Sequence, residues 1–413
     1  MRAGVRAPAA LAAAAAVALA VAPAALADPP ASAAASGGSP GSTPSPAQRA
    51  QVGGPQMASS GIVVNYPSSG RHWKLPKIPA SAYVIADANT GQVLAAKDPH
   101  GQFAPASTLK MLTAFTLIPA LNPSAMVKTT RFAADQEPND AGLVRGRKYQ
   151  VAKLFQALLL ISANDAAVSL TQATGSFSKG MAMINAEAHH LQAYDVVAKL
   201  PNGLPAKGQV VSAYDEALIA RRALAIPAFM HYDSTLAARF EVNKWKSKKT
   251  KKEKEEWATL VNQNLLLTQY RGGIGGKIGW TEKSKATYIG MARRNGVTLI
   301  VTVLHCTALM EITAGEKLLN WGFHMAGQVK PVGTLVSPLP PAATLRKEAR
   351  ARAAAKAARA RRHAAHQHAV QVASQAEARS SGHLDIGLAA GVGAIAVLGV
   401  GGMARQRRRA RRA

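Results

Sequence analysis

Apolar positions fall into three regimes along the chain. Leu11 to Val21 is a run of Ala, Leu and Val with no amphipathic period. Between about residues 80 and 326 the pattern is that of a folded core. There, Tyr83-Val84-Ile85 and Val93-Leu94-Ala95 flank Asn89-Thr90-Gly91, and short apolar runs around a turn signal predict a hairpin over 81–97. Residues 106–121 switch to an apolar helical run, as do residues 151–174 (Leu154, Leu158, Ile161) and Tyr214 to Leu224. Tyr288 to Met291 and Val297 to Leu304 read as strands paired around Arg294-Asn295-Gly296, because Asn-Gly tolerates the positive φ of a tight hairpin. A last helix is expected over about 309–325. Strands at both ends with helices between them predict an α+β domain of mixed α/β character, an antiparallel sheet built from the two ends with a helical insert. The third regime, Ile386 to Met403, is 18 residues without a charge.

Composition narrows the setting. A chain of 413 residues that is 48% apolar has ample material for a core. A single cysteine, Cys306, excludes an intrachain disulfide or a cysteine metal cluster, and its place at the end of an apolar strand suits a buried core residue. The formal charge of +28 divides as +2 on residues 1–70, +14 on 71–340 and +12 on 341–413. Such a surplus suits nucleic acid, an anionic membrane or a cell wall. The absence of zinc-finger spacing and RNP-like aromatics weighs against nucleic acid. The chain ends favour the envelope. Arg2 and Arg6, the apolar run and Ala25-Leu26-Ala27 make residues 1–27 a secretory signal. Residues 28–70 are rich in Pro, Ser, Gly and Ala and are expected to form a disordered spacer. Residues 71–340 form the folded domain, and 341–384 an Ala/Arg-rich stalk, partly helical. Residues 385–404 are a transmembrane anchor, 18 apolar residues lying at the short end of the spanning range; a shallow interfacial segment is the alternative, given six glycines. The arginines of 405–413 belong on the cytoplasmic side, which places the domain outside. The run Lys244 to Trp257 reads as a solvated hairpin tip or loop.

Three short motifs carry chemistry. Ser107-Thr108-Leu109-Lys110 is Ser-x-x-Lys at the start of a helix, so both side chains share a face. A serine hydroxyl needs a base to become a nucleophile, and a lysine with a depressed pKa supplies one. A second such tetrad, Ser176 to Lys179, reads as chance. Ser162-Ala163-Asn164 falls at or near the end of an apolar helix. Lys277-Ile278-Gly279-Trp280-Thr281 follows a glycine-rich stretch and precedes a strand; glycines there permit close approach to a strand edge. Taken singly, each has a bland reading: helix start, polar helix terminus, basic turn.

As an ordered set, separated by 55 and 115 residues, they resemble the signature of penicillin-binding proteins and class A β-lactamases. From about Ala80 to Ala326 the chain resembles the low-molecular-mass penicillin-binding proteins, the D-alanyl-D-alanine carboxypeptidase family (serine peptidase family S11). Asn202-Gly203-Leu204, Ser212-Ala213-Tyr214-Asp215 and Asn262-Gln263-Asn264-Leu265-Leu266 add local matches. The resemblance implies a β-lactamase/transpeptidase-like fold with helices on both faces of the sheet, and a function in cell wall biogenesis and cell shape. It implies that Ser107 attacks the D-Ala-D-Ala bond of a peptidoglycan stem peptide and that Lys110 takes its proton. Ser162 relays a proton to the leaving amine, and Asn164 orients Lys110 and substrate. Lys277, Gly279, Trp280 and Thr281 bind substrate, with the Ser107 and Trp280 N–H groups as oxyanion hole. No metal or organic cofactor is implied, and β-lactams would acylate the same serine. One departure stands out: Ile278 replaces the family threonine, whose hydroxyl helps hold the substrate carboxylate, and Thr281 is the candidate substitute. A catalytically impaired wall-binding protein, and transpeptidase or endopeptidase action, stay open as alternatives. A class A β-lactamase needs Glu-x-x-Leu-Asn between the second and third motifs; Glu316 to Asn320 comes after the third.

Overall fold

The structure is a computed structural model and describes residues 44–69, 72–247, 249, 252–340 and 342–380. The signal sequence, the first part of the spacer, the anchor and the basic tail expected from the sequence lie outside the described residues.

The described chain begins with a one-turn helix, α1 (Pro46–Arg49), closed by a Ser45/Gln48 capping box. The short strand β1 (Ile62–Val64) follows. β2 (Ala80–Asp87) and β3 (Gln92–Lys97) form the expected hairpin. The insert opens with α2 (Leu109–Leu117). Next come a small ladder of β4 (Met126–Lys128) and β5 (Lys148–Gln150), with α3 (Arg131–Ala134) between them. α4 (Val151–Leu160), α5 (Asn164–Gln172), α6 (Phe177–His190), α7 (Ala213–Leu224) and α8 (Pro227–Asp233) continue it. A separate hairpin pairs β6 (Ala237–Lys246) with β7 (Glu253–Val261). After α9 (Leu266–Gln269) the chain returns to the main sheet as β8 (Gly273–Thr281), β9 (Lys285–Arg294) and β10 (Val297–Cys306). α10 (Glu311–Met325), β11 (Gly333–Thr334) and α11 (Ala342–Ser380) complete it.

The main sheet is antiparallel in the order β1-β3-β2-β10-β9-β8, with β11 also paired to β3. The two ends of the domain meet where Val84 pairs with Thr302. Both faces are covered. Ile300 and Leu304 of β10 pack into the larger core with Leu112, Phe115, Leu158 and Ile219. Leu299, Val301 and Val303 point the other way, into a core with Leu318, Leu319, Trp321 and Met325 of α10. This two-residue alternation, buried on both sides, is why β10 reads in sequence as a nearly continuous apolar run.

The structure corrects several expectations. The spacer expected over 28–70 ends earlier: Ile62 pairs with Lys97 and Val64 with Ala95, because a short β-branched run satisfies the open edge of β3. The helical run 151–174 is two helices. It breaks at Ser162, whose φ of 64° is incompatible with a right-handed helix. Lys277-Ile278-Gly279 does not precede a strand; it lies inside β8, the sheet edge. In the charge run, Lys244–Lys246 pair with Glu253–Glu255 as the outer part of the β6–β7 hairpin, in keeping with the hairpin reading, and Lys244 Nζ lies 2.9 Å from Glu253 and 3.0 Å from Glu255. α11 occupies most of the expected stalk; Ala and Arg are strong helix formers, and its described side chains are exposed on all sides. Among the described residues, no helix is long and apolar enough to cross a membrane.

Candidate active site

Ser107 sits in a tight turn, Ala106–Thr108, that feeds α2. Ala106 has φ 48°, a strained value for a residue with a Cβ, and neighbours hold it. Thr108 and Thr287 hydroxyls both donate to the Pro105 carbonyl, at 2.6 and 2.9 Å. Thr108 also bonds the buried Glu216 carboxyl. Gly203 presses so closely that a Cβ there would lie 1.7 Å from the Ala106 carbonyl oxygen. One turn on, Lys110 is fully buried. Its Nζ lies 2.8 Å from Ser107 Oγ, 2.7 Å from Asn164 Oδ1 and 2.6 Å from the Asn202 carbonyl. Three oxygens surround Nζ: an ammonium would donate to all three, and a neutral amine would donate to the two carbonyl-type oxygens and turn its lone pair to the serine hydroxyl. Burial, and then the like charge of Lys277, push the Lys110 pKa well below the usual lysine range, against the opposing pull of Asp165.

Asn164 opens α5, directly after the break at Ser162. Its Nδ2 donates to the Glu137 carbonyl at 2.7 Å, and its N–H to that of Asn139 at 2.7 Å. Asp165 ties down the same wall, accepting from the N–H groups of Ala141 (3.0 Å), Leu143 (2.9 Å) and Ala166 (2.7 Å). Ser162 Oγ is buried and has no hydrogen-bond partner among the described residues. A buried hydroxyl left unpaired in a native fold demands a functional reason, and this one lines the same cleft as Ser107.

β8 forms the opposite wall. A Cβ on Gly279 would meet Ser107 N at 2.6 Å and Thr287 Oγ1 at 2.5 Å, so only glycine lets the strand edge run against the serine turn. Lys277 is buried beneath this edge; Nζ donates to the Ile278 carbonyl at 2.9 Å. Burial lowers its pKa to about 8, opposed by the Asp233 charge. Trp280 is 57% exposed at the rim. Ile278 lines the cleft and packs against the α10 core, offering no hydroxyl. Thr281 is a poor substitute, because its Oγ1 is held in a turn by Ser284 N at 3.0 Å and Ser284 Oγ at 2.7 Å. The cleft between the walls measures about 590 Å3.

All eight residues singled out from the sequence therefore converge here. Ser107, Ser162, Asn164, Gly279, Trp280 and Thr281 line the cleft, and Lys110 and Lys277 lie beneath it. The second Ser-x-x-Lys tetrad is a cap: Ser176 Oγ accepts from Lys179 N at 3.0 Å. Asp215 lies in the first turn of α7, which Ser212 caps, and plays a structural part by accepting from the Asp195 N–H at 2.7 Å. The roles of the Asn202 carbonyl and of Asp233 had no signal in the sequence: a backbone carbonyl is not written in it, and Asp233 lies outside the three motifs. Asp165 directly follows Ser162-Ala163-Asn164, in a stretch similar to the family's Ser-Gly-Asn-Asp-Ala, but its bracing role emerges only in the fold. Among the described residues, the one His/Asp group with metal-like spacing is His100, Asp195 and Asp215. There His100 Nδ1 lies 2.7 Å from Asp195, its Nε2 lies 3.0 Å from the Val52 carbonyl, and Arg49 flanks Asp195 at 3.7 Å. His100 and Asp195 are thus partnered, whereas Asp215 Oδ1 and Arg49 Nε have no hydrogen-bond partner among the described residues.

A serine with its lysine base, a second serine and asparagine, and a strand-edge lysine, placed between an antiparallel sheet and a helical insert, define the penicillin-binding class of serine acyltransferases. Residues 70–308 match the peptidase S11 family, D-alanyl-D-alanine carboxypeptidase, and the chain belongs to that family. It is 32% identical over 269 residues to D-alanyl-D-alanine carboxypeptidase DacB2 of Mycobacterium tuberculosis, covering 63% of this chain and 88% of that protein. The match to DacF of Bacillus subtilis, at 28% identity, covers 59% of this chain and 62% of that protein. Among solved structures, a D-alanyl-D-alanine carboxypeptidase from Mycobacterium tuberculosis H37Rv superposes with TM-score 0.58 at 31% identity, over 66% of this chain and all of that one. The Streptomyces K15 DD-transpeptidase does so with TM-score 0.55 at 26% identity, over 61% of this chain and 99% of that one.

Proposed function

We propose that the protein is a serine-type D-Ala-D-Ala carboxypeptidase that trims peptidoglycan stem peptides through an acyl-enzyme on Ser107. The observation that carries this reading is Lys110, buried with Nζ 2.8 Å from Ser107 Oγ and fixed there by Asn164 Oδ1 and the Asn202 carbonyl. Lys110 takes the Ser107 proton as Oγ attacks the carbonyl of the penultimate D-alanine. The tetrahedral oxyanion faces the Ser107 and Trp280 amides; such donors stabilise charge that develops only in the transition state, by about 2.7–4 kcal/mol for one. Ser162 passes a proton to the departing amine, the C–N bond breaks, and free D-alanine leaves. Water then attacks the ester and regenerates Ser107. Lys277, charged and beneath the strand edge, attracts the terminal carboxylate. β-Lactams follow the first half of this path and stop at the ester.

The reading extends to location. The A-x-A site after the Leu11 to Val21 run, and the charge-free Ile386 to Met403 followed by arginines, support an exported domain anchored on the wall side of the membrane. Protease added to intact cells should digest the domain and spare the Arg405–Arg412 tail. Ile278 favours one second reading, a wall-binding protein with weak turnover. Free D-alanine released from a D-Ala-D-Ala peptide, by wild type and by Ser107→Ala, decides between them. Release that depends on Ser107 supports the enzyme; binding of the peptide without release supports the second reading.

A further inference from the structure

We propose that Asp233 is a positioning residue for this reaction, fixing the backbone that enters the lysine motif and supplying the negative charge that faces Lys277 from beneath the sheet edge. The proposal rests on the carboxypeptidase reading above. Asp233 is the last residue of α8, belongs to no catalytic motif, and is 1% exposed. Its Oδ2 accepts from Gly276 N at 2.7 Å, one residue before Lys277. The fit is close: a Cβ on Gly275 would lie 2.2 Å from that oxygen, which explains the glycine there, while Gly276 is required by the Ile289 carbonyl, 2.1 Å from where its Cβ would lie. Asn262 Nδ2 secures the turn by donating to the Asp233 carbonyl at 2.9 Å and the Thr235 carbonyl at 3.0 Å. Oδ1 is buried with no hydrogen-bond partner among the described residues. An acid sealed in this way is costly unless a charge nearby compensates it.

Lys277 presents the complementary problem. It is a buried ammonium whose Nζ reaches the neutral carbonyl of Ile278. The charged and titratable groups that bear on the pair come from three elements: Lys277 itself on β8, Lys110 on α2, and Tyr288 on β9, whose hydroxyl feels the Asp233 charge. Burial raises the Asp233 pKa to about 7, and Lys277 and the Gly276 N–H oppose that rise. Asp233 is therefore an anion on the alkaline side of neutrality, where Lys277 most needs a counter-charge to stay protonated. The two support each other across the strand without forming a direct ion pair.

Asp233→Asn separates charge from shape, since the amide oxygen still accepts from Gly276. The test is the pH profile of acylation efficiency by benzylpenicillin for wild type, Asp233→Asn and Ser107→Ala, with circular dichroism and thermal midpoint on each. The expected result is that Asp233→Asn matches wild type well below pH 7, where the wild-type acid is protonated and as neutral as the amide that replaces it. Its alkaline limb moves to lower pH, and above the limb efficiency falls about tenfold for each pH unit the limb moves. Parallel profiles at all pH values would overturn the inference, because a purely structural acid costs the same everywhere. Should Asp233→Asn fail to fold, Asn262→Ala provides the second test. It loosens the turn that holds the acid, and should give the same alkaline-selective loss; a uniform loss would count against the proposal. Acylation that survives in Ser107→Ala would instead remove the reading on which the proposal rests.

Discussion

Gly279→Ala is a sharp probe of how the cleft is built. The new methyl would sit 2.6 Å from Ser107 N and 2.5 Å from Thr287 Oγ1. Ordinary contact begins at 3.4 Å, so β8 must retreat from the serine turn by roughly 0.8 Å. Neither neighbour yields easily. Ser107 N is backbone in a turn pinned by Thr108 and Gly203, and Thr287 is held by its bond to Pro105. Overpacking of this kind costs about 1–3 kcal/mol of stability, which a domain with two covered sheet faces survives. The kinetic loss is larger, because a misplacement near 1 Å in a reacting constellation costs about 10²-fold. Acylation efficiency, followed with a fluorescent penicillin at several concentrations, should therefore fall about a hundredfold while the variant still unfolds cooperatively. A Gly279→Ala protein acylated within threefold of wild type would show that strand and serine turn are not in the contact described here.

Two further perturbations test the electrostatics. Lys277→Ala removes a like charge that depresses Lys110; the Lys110 pKa then rises, a higher pH is needed to free the base, and the acid limb of acylation efficiency moves to higher pH. An unmoved or lower limb would contradict the coupling. Glu216→Gln tests the support under Ser107. Burial raises the Glu216 pKa to about 8, whereas the unfolded chain ionises near the ordinary 4.5. The native state keeps a proton that the unfolded state releases, so wild-type stability falls as pH rises from about 5 to 8. Urea unfolding should show Glu216→Gln gaining on wild type across that window; equal slopes would refute the assignment.

The sequence exposed those parts of the fold whose signals are local. The hairpins at Asn89-Thr90-Gly91 and Asn295-Gly296, helices α2, α7 and α10, and the three motifs were all readable, because apolar period and turn chemistry are written residue by residue. β8 was hidden, since Gly273, Gly275, Gly276 and Gly279 give no strand propensity; they are there because Leu266, Asp233, Ile289 and Ser107 in turn crowd the backbone. The break at Ser162 was only half legible: the three-residue motif reads as a helix end, yet Leu160, Ile161 and Ala163 continue a helical pattern across it, and the positive φ of Ser162 has no signal in the sequence. β1 was masked by the polar spacer composition around it. The site was readable as residue types but not as an arrangement. That Asn202 turns its carbonyl onto Lys110, and that Asp165 and Asp233 brace the two walls, follows only from long-range packing.

The central claim is that Ser107, deprotonated by Lys110, becomes covalently acylated. Intact-protein mass spectrometry after exposure to benzylpenicillin tests it most directly. One penicilloyl adduct per chain is expected, mapped to the peptide containing Ser107 and lost in Ser107→Ala and Lys110→Ala. A folded wild-type protein with no adduct, or an adduct that persists without Ser107, would contradict it.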